Sequence, residues 1–418
     1  MRQHSSPPLL SETRYRIYEE EHLGHEATPF HAAASGSFLS RAWDLDQGGR
    51  LKVDNSQTFD VIVVGAGPGG SMVAKRCAES CLTTLLIEGK RLPRDKVCTG
   101  MVMGNWAHSI IRQEYGQIPE TVLVDPPYLS GHRIHVAGAE PQTLEWHTPL
   151  AWRRDLDFWM VQRAKEAGVI VRDGLRVVRV ISADGACYVI GRKDGSTEAF
   201  PARFVVGADG GTSVVRRSTF PELKVRYSVP IRECYRGALE LEKNVIHWFF
   251  PKGQPRPRFN INHKNHVFLV EGSGIRDLRR EIGDTLAPYG FHPQSKPEWK
   301  DACAITMLHE ELMSRKFVPA QGNILLIGDA AGLILPVTFE GIGSALKSGI
   351  LAAESIVWSA KTGKPSAAFY LEAIEPILDT IRRLCIVQDE LGAGCHTSSG
   401  EVAKPLLAAY RETLIIQG

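Results

Sequence analysis

The chain has 418 residues, enough to bury a large core and to form two domains, or one domain with an inserted part. Its 49 Lys and Arg against 47 Asp and Glu leave a formal charge of +2, too little to argue for a nucleic-acid partner. Apolar content of 43% is ordinary for a soluble protein, no stretch approaches the roughly 20 unbroken apolar residues of a membrane span, and eight cysteines without a CxxC pair imply neither a zinc ribbon nor a thioredoxin motif, so no metal site is expected.

Residues 1–57 mix SSPP with the acidic stretch RYRIYEEEH and hold no apolar signal core. The acidic residues also count against an organellar transit peptide. This N-terminal extension reads as a flexible tail, an added docking segment or an artefact of start-codon choice, no function attaches to it, and a reducing cytoplasm is the default location.

Residues 60–88 describe a dinucleotide site. The apolar run Val61 to Val64 reads as a buried parallel strand that breaks at Gly65, Gly67 and Gly70, and Ser71 opens a helical segment. The first glycine permits the tight turn, the second lets backbone approach a pyrophosphate, and the third lets helix and strand pack closely. A second apolar run, Leu82 to Ile87, ends at Glu88, the place and type of residue to accept hydrogen bonds from a ribose.

Further along, 153–168 has helical spacing, Val169 to Val171 reads as a strand, and 175–182 with 187–191 reads as a hairpin turning at Asp184-Gly185. Phe204 to Val206 is another buried strand, running into GADGGTS, where Thr212 or Ser213 caps a helix. The stretch 226–317 holds short alternating runs and many prolines, as a sheet covering a pocket would. Gly322 to Ile327 is again a buried strand, placing Gly328 and Asp329 at its tip, where a carboxylate can hold a polyol hydroxyl. A long helix follows from about Gly341, and the backbone of Gly341, Ile342 and Gly343 at its positive end suits an anionic ring. Residues 366–390 read as helical. A nicotinamide enzyme needs only the first glycine motif; a bound flavin accounts for all three.

The three motifs in this order resemble the FAD-binding core of the p-hydroxybenzoate hydroxylase superfamily, and within it the geranylgeranyl reductase family. The resemblance is carried by Gly65 through Pro68, Gly69 and Gly70 with Glu88, by Pro93-Arg94-Asp95-Lys96-Val97-Cys98, by Arg153 and Asp157, by Gly207 to Gly210, and by Gly328 to Ile342. Trp248-Phe249-Phe250-Pro251 matches the family's W-x-F-P element. Thr99-Gly100 depart from the residues that usually follow the cysteine, and Ile246 stands where a tyrosine is frequent.

The resemblance implies an α/β fold: a discontinuous Rossmann-like FAD-binding domain with an inserted antiparallel β-sheet substrate domain and C-terminal helices. The expected boundaries are 58–125, 150–225 and 318–365 for FAD binding, 126–149 and 226–317 for the substrate sheet, and 366–418 for the helical end. It further implies that Glu88 binds the adenosine ribose, that Arg94 and Arg153 lie along the FAD with Lys96 near them, that Asp209 and Asp329 hold the cofactor, Asp329 through its ribityl chain, and that Gly341 to Gly343 face the flavin pyrimidine edge. Cys98, Trp248 and Gly341 are the implied catalytic positions. Cys98 is otherwise a small apolar filler, Trp248 to Phe250 a core strand and Lys96 a surface charge. His247, His263, His266 and His309 are acid–base candidates by residue type alone, and Cys395-His396 is expected in a loop.

The implied activity is reduction of an isoprenoid double bond by reduced FAD, with hydroxylation of an aromatic or peptidyl substrate as the alternative. NAD(P)H or a reduced electron-transfer protein is the expected electron donor, since no second glycine-rich nucleotide site occurs. The substrate is expected to be small and apolar or aromatic, which leaves room for peripheral membrane contact. The W-x-W-x-I-P signature of flavin-dependent halogenases is missing, and a non-catalytic scaffold would have no need of Asp329.

Overall fold

A computed structural model of the chain describes residues 52–53, 58–183, 186–251, 256–272, 275–394 and 399–416. Strand β1 (Lys52–Val53) runs parallel beside Glu198 and Ala199. Asp184-Gly185 and Cys395-His396 lie outside the described residues.

The first half contains β2 (Phe59–Val64), α1 (Pro68–Glu79), β3 (Thr84–Ile87) and α2 (Gly104–Tyr115). Then come β4 (Leu123–Val136), β5 (Gln142–Ala151), α3 (Arg153–Glu166) and β6 (Ile170–Arg172). The hairpin β7 (Arg176–Ala183) and β8 (Ala186–Lys193) leads into β9 (Ser196–Gly207) and the short helix α4 (Val214–Thr219). Helix α1 begins one turn before the expected Ser71, because Pro68 sits at its first turn, where its fixed φ is pre-set for helix and its missing N–H is not needed.

The middle section holds β10 (Arg226–Ser228), β11 (Ile231–Arg236), β12 (Val245–Phe250), β13 (Phe259–Lys264) and β14 (Val267–Gly272). It continues with α5 (Ile275–Leu286), β15 (Trp299–Ala302), β16 (Ile305–Met307) and α6 (His309–Met313). The chain closes with β17 (Ala320–Gln321), β18 (Ile324–Leu326), α7 (Ile342–Thr362), α8 (Ser366–Ala373), α9 (Glu375–Gly394) and α10 (Ser399–Leu414). The helical pattern of 366–390 is thus two helices. Pro376 lacks an N–H and cannot continue α8, so the helix ends and restarts at Glu375.

One sheet has the order β17-β18-β9-β2-β3-β6, parallel from β18 to β6, with β7 and β8 added antiparallel beside the first part of β9. Its strands are apolar runs covered on both faces, as parallel sheets require. The second sheet has the order β15-β11-β14-β13-β12-β4-β5. It is antiparallel except where β4 and β12 pair parallel, a departure from the expected wholly antiparallel sheet. The cause is connectivity: β4 comes from the excursion between α2 and α3, more than a hundred residues before β12, so no hairpin sets its direction. One face of this sheet packs on α5 through Phe249, Phe259, Ile261, Phe268 and Val270. On the other, β12 and β4 pack against α10.

Candidate active site

A cavity of about 730 Å³ lies where the C-terminal ends of β2, β3, β9 and β18 meet the second sheet. This is the place where open parallel sheets bind ligands, because the helix N-termini that follow the strands collect there. Its wall includes Gly65, Gly67, Pro68, Gly69, Gly70, Glu88, Arg94, Lys96, Cys98, Arg153, Asp209, Gly328, Asp329, Gly341, Ile342 and Trp248. Of the residues expected at the site, Gly343 alone is not on that wall.

The turn after β2 explains itself in steric terms. Gly65 has φ +104°, and a Cβ there would meet the Ala208 carbonyl oxygen at 2.3 Å; at Gly70 it would meet the Gly65 oxygen at 1.9 Å. Gly67 is different. A Cβ there would find nothing nearer than Arg94 Nη2 at 3.9 Å, so the space above it belongs to whatever binds at the N-terminus of α1. No side chain caps that helix, and its first-turn N–H groups are left for an anion.

Beside the turn, Glu88 accepts from the Ala66 N–H and from Arg94 Nε, both at 3.1 Å, and from the Lys90 N–H at 3.1 Å. Arg94 donates on to Asp157 Oδ2 at 2.8 Å, and Arg153 grips the same carboxylate with Nε at 2.7 Å and Nη2 at 3.0 Å. Burial pushes the Asp157 carboxyl up, but Arg153 and Arg94 outweigh it and hold it below the usual carboxylate range. Arg153 also hydrogen-bonds Cys98, whose thiol borders the cavity and accepts the Gly100 N–H at 3.3 Å. Asp157 thus holds both arginines in place under the cavity floor.

Two expected ligands have other partners here. The Asp209 carboxylate accepts from Ser213 Oγ at 2.5 Å and from the Val214 and Val215 N–H groups at 2.6 and 3.2 Å. It joins Ser213, whose Oγ accepts the Arg216 N–H, in capping α4, so its side chain orders the loop instead of facing a ligand. The Gly343 N–H donates to Glu340 Oε1 at 2.7 Å, and a Cβ at Gly343 would press on Ala107. Glu340 reaches back over the helix start and turns that N–H inward. Burial raises the Glu340 carboxyl to about 7, partly offset by backbone N–H donors and helped by the nearby Asp329 charge.

Asp329 itself accepts no hydrogen bond on its carboxylate among the described residues and opens onto the cavity. Its backbone is fixed from behind by Arg216, a fully buried cation that donates to the Asp329, Ala330 and Gly211 carbonyl oxygens. Sequence reading passed over Arg216, since one of two adjacent arginines at a helix end reads as surface charge.

The second sheet supplies the far wall through Trp248, Asn260 and Glu271, with Cys303 and Ile305 beside them, while the Phe259 ring packs on the α5 face. Trp248 is 5% exposed, donates to His132 Nδ1 at 3.3 Å and meets the Tyr410 ring edge-on at 5.3 Å, so it is a core residue and a wall residue at once. Lys264 is completely buried, donates to the Ala151 carbonyl oxygen at 2.8 Å and lies 4.3 Å over the Trp152 ring; burial pulls its ammonium down to about 7. Lys96 is half-buried with no ion pair among the described residues, and it borders the cavity. None of the four candidate histidines lines the cavity. His309 Nε2 donates to the Ile334 carbonyl oxygen at 2.7 Å, and His263 Nε2 accepts the Leu239 N–H at 3.1 Å.

These features fit FAD. The open step above Gly67 and the uncapped start of α1 suit a pyrophosphate, Glu88 lies at the end of β3 as a ribose carboxylate must, and the uncommitted Asp329 carboxylate suits a polyol. Independently, the family model for an FAD binding domain matches residues 137–230. The chain is 25% identical over 300 residues to protein CbrA of Escherichia coli (strain K12), covering 69% of this chain and 82% of that one. A geranylgeranyl bacteriochlorophyll reductase-like protein from Thermoplasma acidophilum superposes with a TM-score of 0.69 at 19% identity, covering 84% of this chain and 96% of the other. The p-nitrophenol 4-monooxygenase PnpA from Pseudomonas putida gives a TM-score of 0.62 at 12% identity, covering 87% and 100%.

Fold, cradle and family model together define a flavoprotein that binds FAD. The chain is similar to FAD-dependent oxidoreductases, and it shares the fold of the geranylgeranyl reductase-like and monooxygenase structures.

Proposed function

We propose that the protein saturates a carbon–carbon double bond of an isoprenoid substrate of the geranylgeranyl type. The observation that carries this reading is the apolar lining beyond Asp329, formed by Met101, Met103, Trp248, Ile305 and Ile334. A wall of thioethers, aromatics and branched aliphatics suits a flexible hydrocarbon chain. The PRDKVC and WFFP elements support the same assignment.

Bound FAD supplies the hydride when reduced. The chain's own residues hold and orient. The first-turn N–H groups of α1 take the pyrophosphate, Glu88 the adenosine ribose and Asp329 the ribityl hydroxyls. Arg94 and Arg153, fixed by Asp157, add positive charge along the same side, with Lys96 beyond them. Gly341 and Ile342, at the N-terminus of α7, would hold the flavin's pyrimidine end, where the positive end of the helix would favour negative charge. Cys98 and Trp248 border the substrate and exclude water. Electrons come from transiently bound NAD(P)H or from a reduced electron-transfer protein, and an apolar substrate entails passing contact with a membrane surface.

A single-turnover experiment tests this. Anaerobically reduced protein mixed with a polyprenyl substrate should reoxidise and yield a product heavier by a pair of hydrogens. Persistently reduced flavin with every polyprenyl substrate would refute the reading. Trp248→Phe should slow the reoxidation with flavin content kept; lost flavin with an unchanged rate would make Trp248 a core residue only.

Hydroxylation of an aromatic or peptidyl substrate is the second reading, favoured by the polar side chains Asn260 and Glu271 on the far wall. Mixing the reduced protein with oxygenated buffer distinguishes the two: a long-lived absorbing species before the oxidised spectrum returns would favour it.

A further inference from the structure

The far wall carries a polar row that the flavin-binding residues leave unused. In register, Trp248 on β12 faces Asn260 on β13, and Asn260 faces Glu271 on β14. Glu271 in turn faces Arg232 on β11, which faces Asp301 on β15. Directly opposed residues project to the same face of a sheet, so these five side chains stand side by side. Trp248, Asn260 and Glu271 border the cavity.

One end of the row is closed. Arg232 clamps Asp301 with Nε and Nη2 at 2.9 and 2.5 Å, and its Nη1 donates to the Cys98 carbonyl oxygen at 3.0 Å. The middle is open. The Asn260 amide makes no hydrogen bond among the described residues, and Glu271 Oε2 is sealed from solvent without a partner. A buried carboxyl oxygen without a partner, beside an amide free to hydrogen-bond a ligand, is costly unless something else completes it.

The charges around Glu271 do not pair with it. Arg232 is held by Asp301, Lys264 by the Ala151 carbonyl, Asp301 repels it, and the cysteines nearby are thiols. Burial outweighs the two cations and raises the carboxyl to about 7. Glu271 is therefore protonated, and a hydrogen-bond donor, below about pH 7, and Asn260 is a second donor beside it. Two uncharged donors on an apolar wall match a neutral acceptor better than an anion.

We propose that Asn260 and Glu271 form a subsite for an uncharged carbonyl group, as in a ketone, ester or quinone, carried by the substrate. The proposal rests on the isoprenoid reading for the rest of that substrate. A site with donors of this kind rejects an analogue that lacks the acceptor, because its own polar groups are then left unpaired.

Equilibrium binding to the FAD-loaded protein tests it, followed through the flavin's visible spectrum. The probes are a polyprenyl ketone, a polyprenyl hydrocarbon of equal length, a polyprenyl diphosphate and an aromatic ketone. The wild type should prefer the ketone to the hydrocarbon by roughly tenfold or more. Glu271→Ala and Asn260→Ala should each erase most of that preference, whereas Glu271→Gln, still a neutral donor, should keep it. Should Glu271→Ala fail to fold, Asn260→Ala and Glu271→Gln carry the comparison. Equal binding of ketone and hydrocarbon, or a preference unchanged in Asn260→Ala, overturns the subsite. Preference for the diphosphate overturns it too, since a cation such as Lys96 would then hold the head group. If only the aromatic ketone binds, and loses affinity in both alanine variants, the subsite stands and the isoprenoid reading falls.

Discussion

Arg94 bridges Glu88 and Asp157, with Nε 3.1 Å from one carboxylate and Nη1 2.8 Å from the other. Glu88 at the end of β3 is thereby tied to α3, two elements that share no backbone pairing. Removing one member of a buried ion network leaves the others uncompensated, which costs about 3–5 kcal/mol. Asp157→Ala should lower unfolding free energy by about that amount and strand two arginines; equilibrium denaturation measures it. Asp157 is held below its ordinary value, so its contribution is complete above about pH 4 and is lost as the pH falls through the lower native value.

Gly65 and Gly67 are two residues apart and should fail in different ways. Gly65→Ala places a Cβ 2.3 Å from the Ala208 oxygen at φ +104°, and soluble yield should fall sharply. Gly67→Ala meets only Arg94 Nη2 at 3.9 Å. Its apoprotein should melt near the wild-type apoprotein, while flavin retention drops because the methyl group takes up pyrophosphate space. Full FAD occupancy in Gly67→Ala would place the pyrophosphate elsewhere.

Asp329→Ala should purify with depleted FAD. It removes an uncommitted carboxylate from the cavity wall, and a lost charged hydrogen bond weakens binding by about 1.5–3 kcal/mol, roughly ten- to a hundredfold. The flavin-to-protein absorbance ratio after dialysis reads this directly. Because Arg216 holds the Asp329 backbone and not its carboxylate, the apoprotein's melting temperature should barely change.

Glu271 and Lys264 shape the pH dependence of stability with opposite signs. Glu271 is raised from 4.5 to about 7, so its favourable contribution is complete below 4.5 and is lost as the pH rises through 7. Lys264 is lowered from 10.5 to about 7, so its contribution is present above 10.5 and is lost as the pH falls through 7. From these two groups stability should pass through a minimum near neutrality. Denaturation midpoints across that range should show Glu271→Gln flattening the acid arm and Lys264→Met the alkaline arm. Unchanged arms in both variants would mean that the wall is wetter than its burial implies.

Much of the flavin site was legible in the chain because its logic is local. The spacing of Gly65, Gly67 and Gly70 describes one turn, Glu88 follows one strand, and Asp329 sits at the tip of another. Asp209, also on the cavity wall, shows an equally local competition. An acid after a buried strand looks like a ligand, yet four and five residues later Ser213 and Val214 offer it donors, and capping α4 takes its carboxylate. Gly343 differs because Glu340, three residues earlier, curls back onto its N–H.

The sequence by itself determined the two kinds of sheet, the glycine turn and the acids at strand ends, since steric limits on φ and the alternation of apolar residues act within a few residues. Only the tertiary structure decided which side chains share the far wall. Trp248, Asn260, Glu271, Arg232 and Asp301 are spread over seventy positions of chain, and they meet because five strands pair in one register. Arg216, Lys264 and Glu271 look like surface charges in the sequence; it is burial, a property of the whole fold, that strips their water and turns them into a brace for Asp329, a cation near neutrality and a proton-bearing wall.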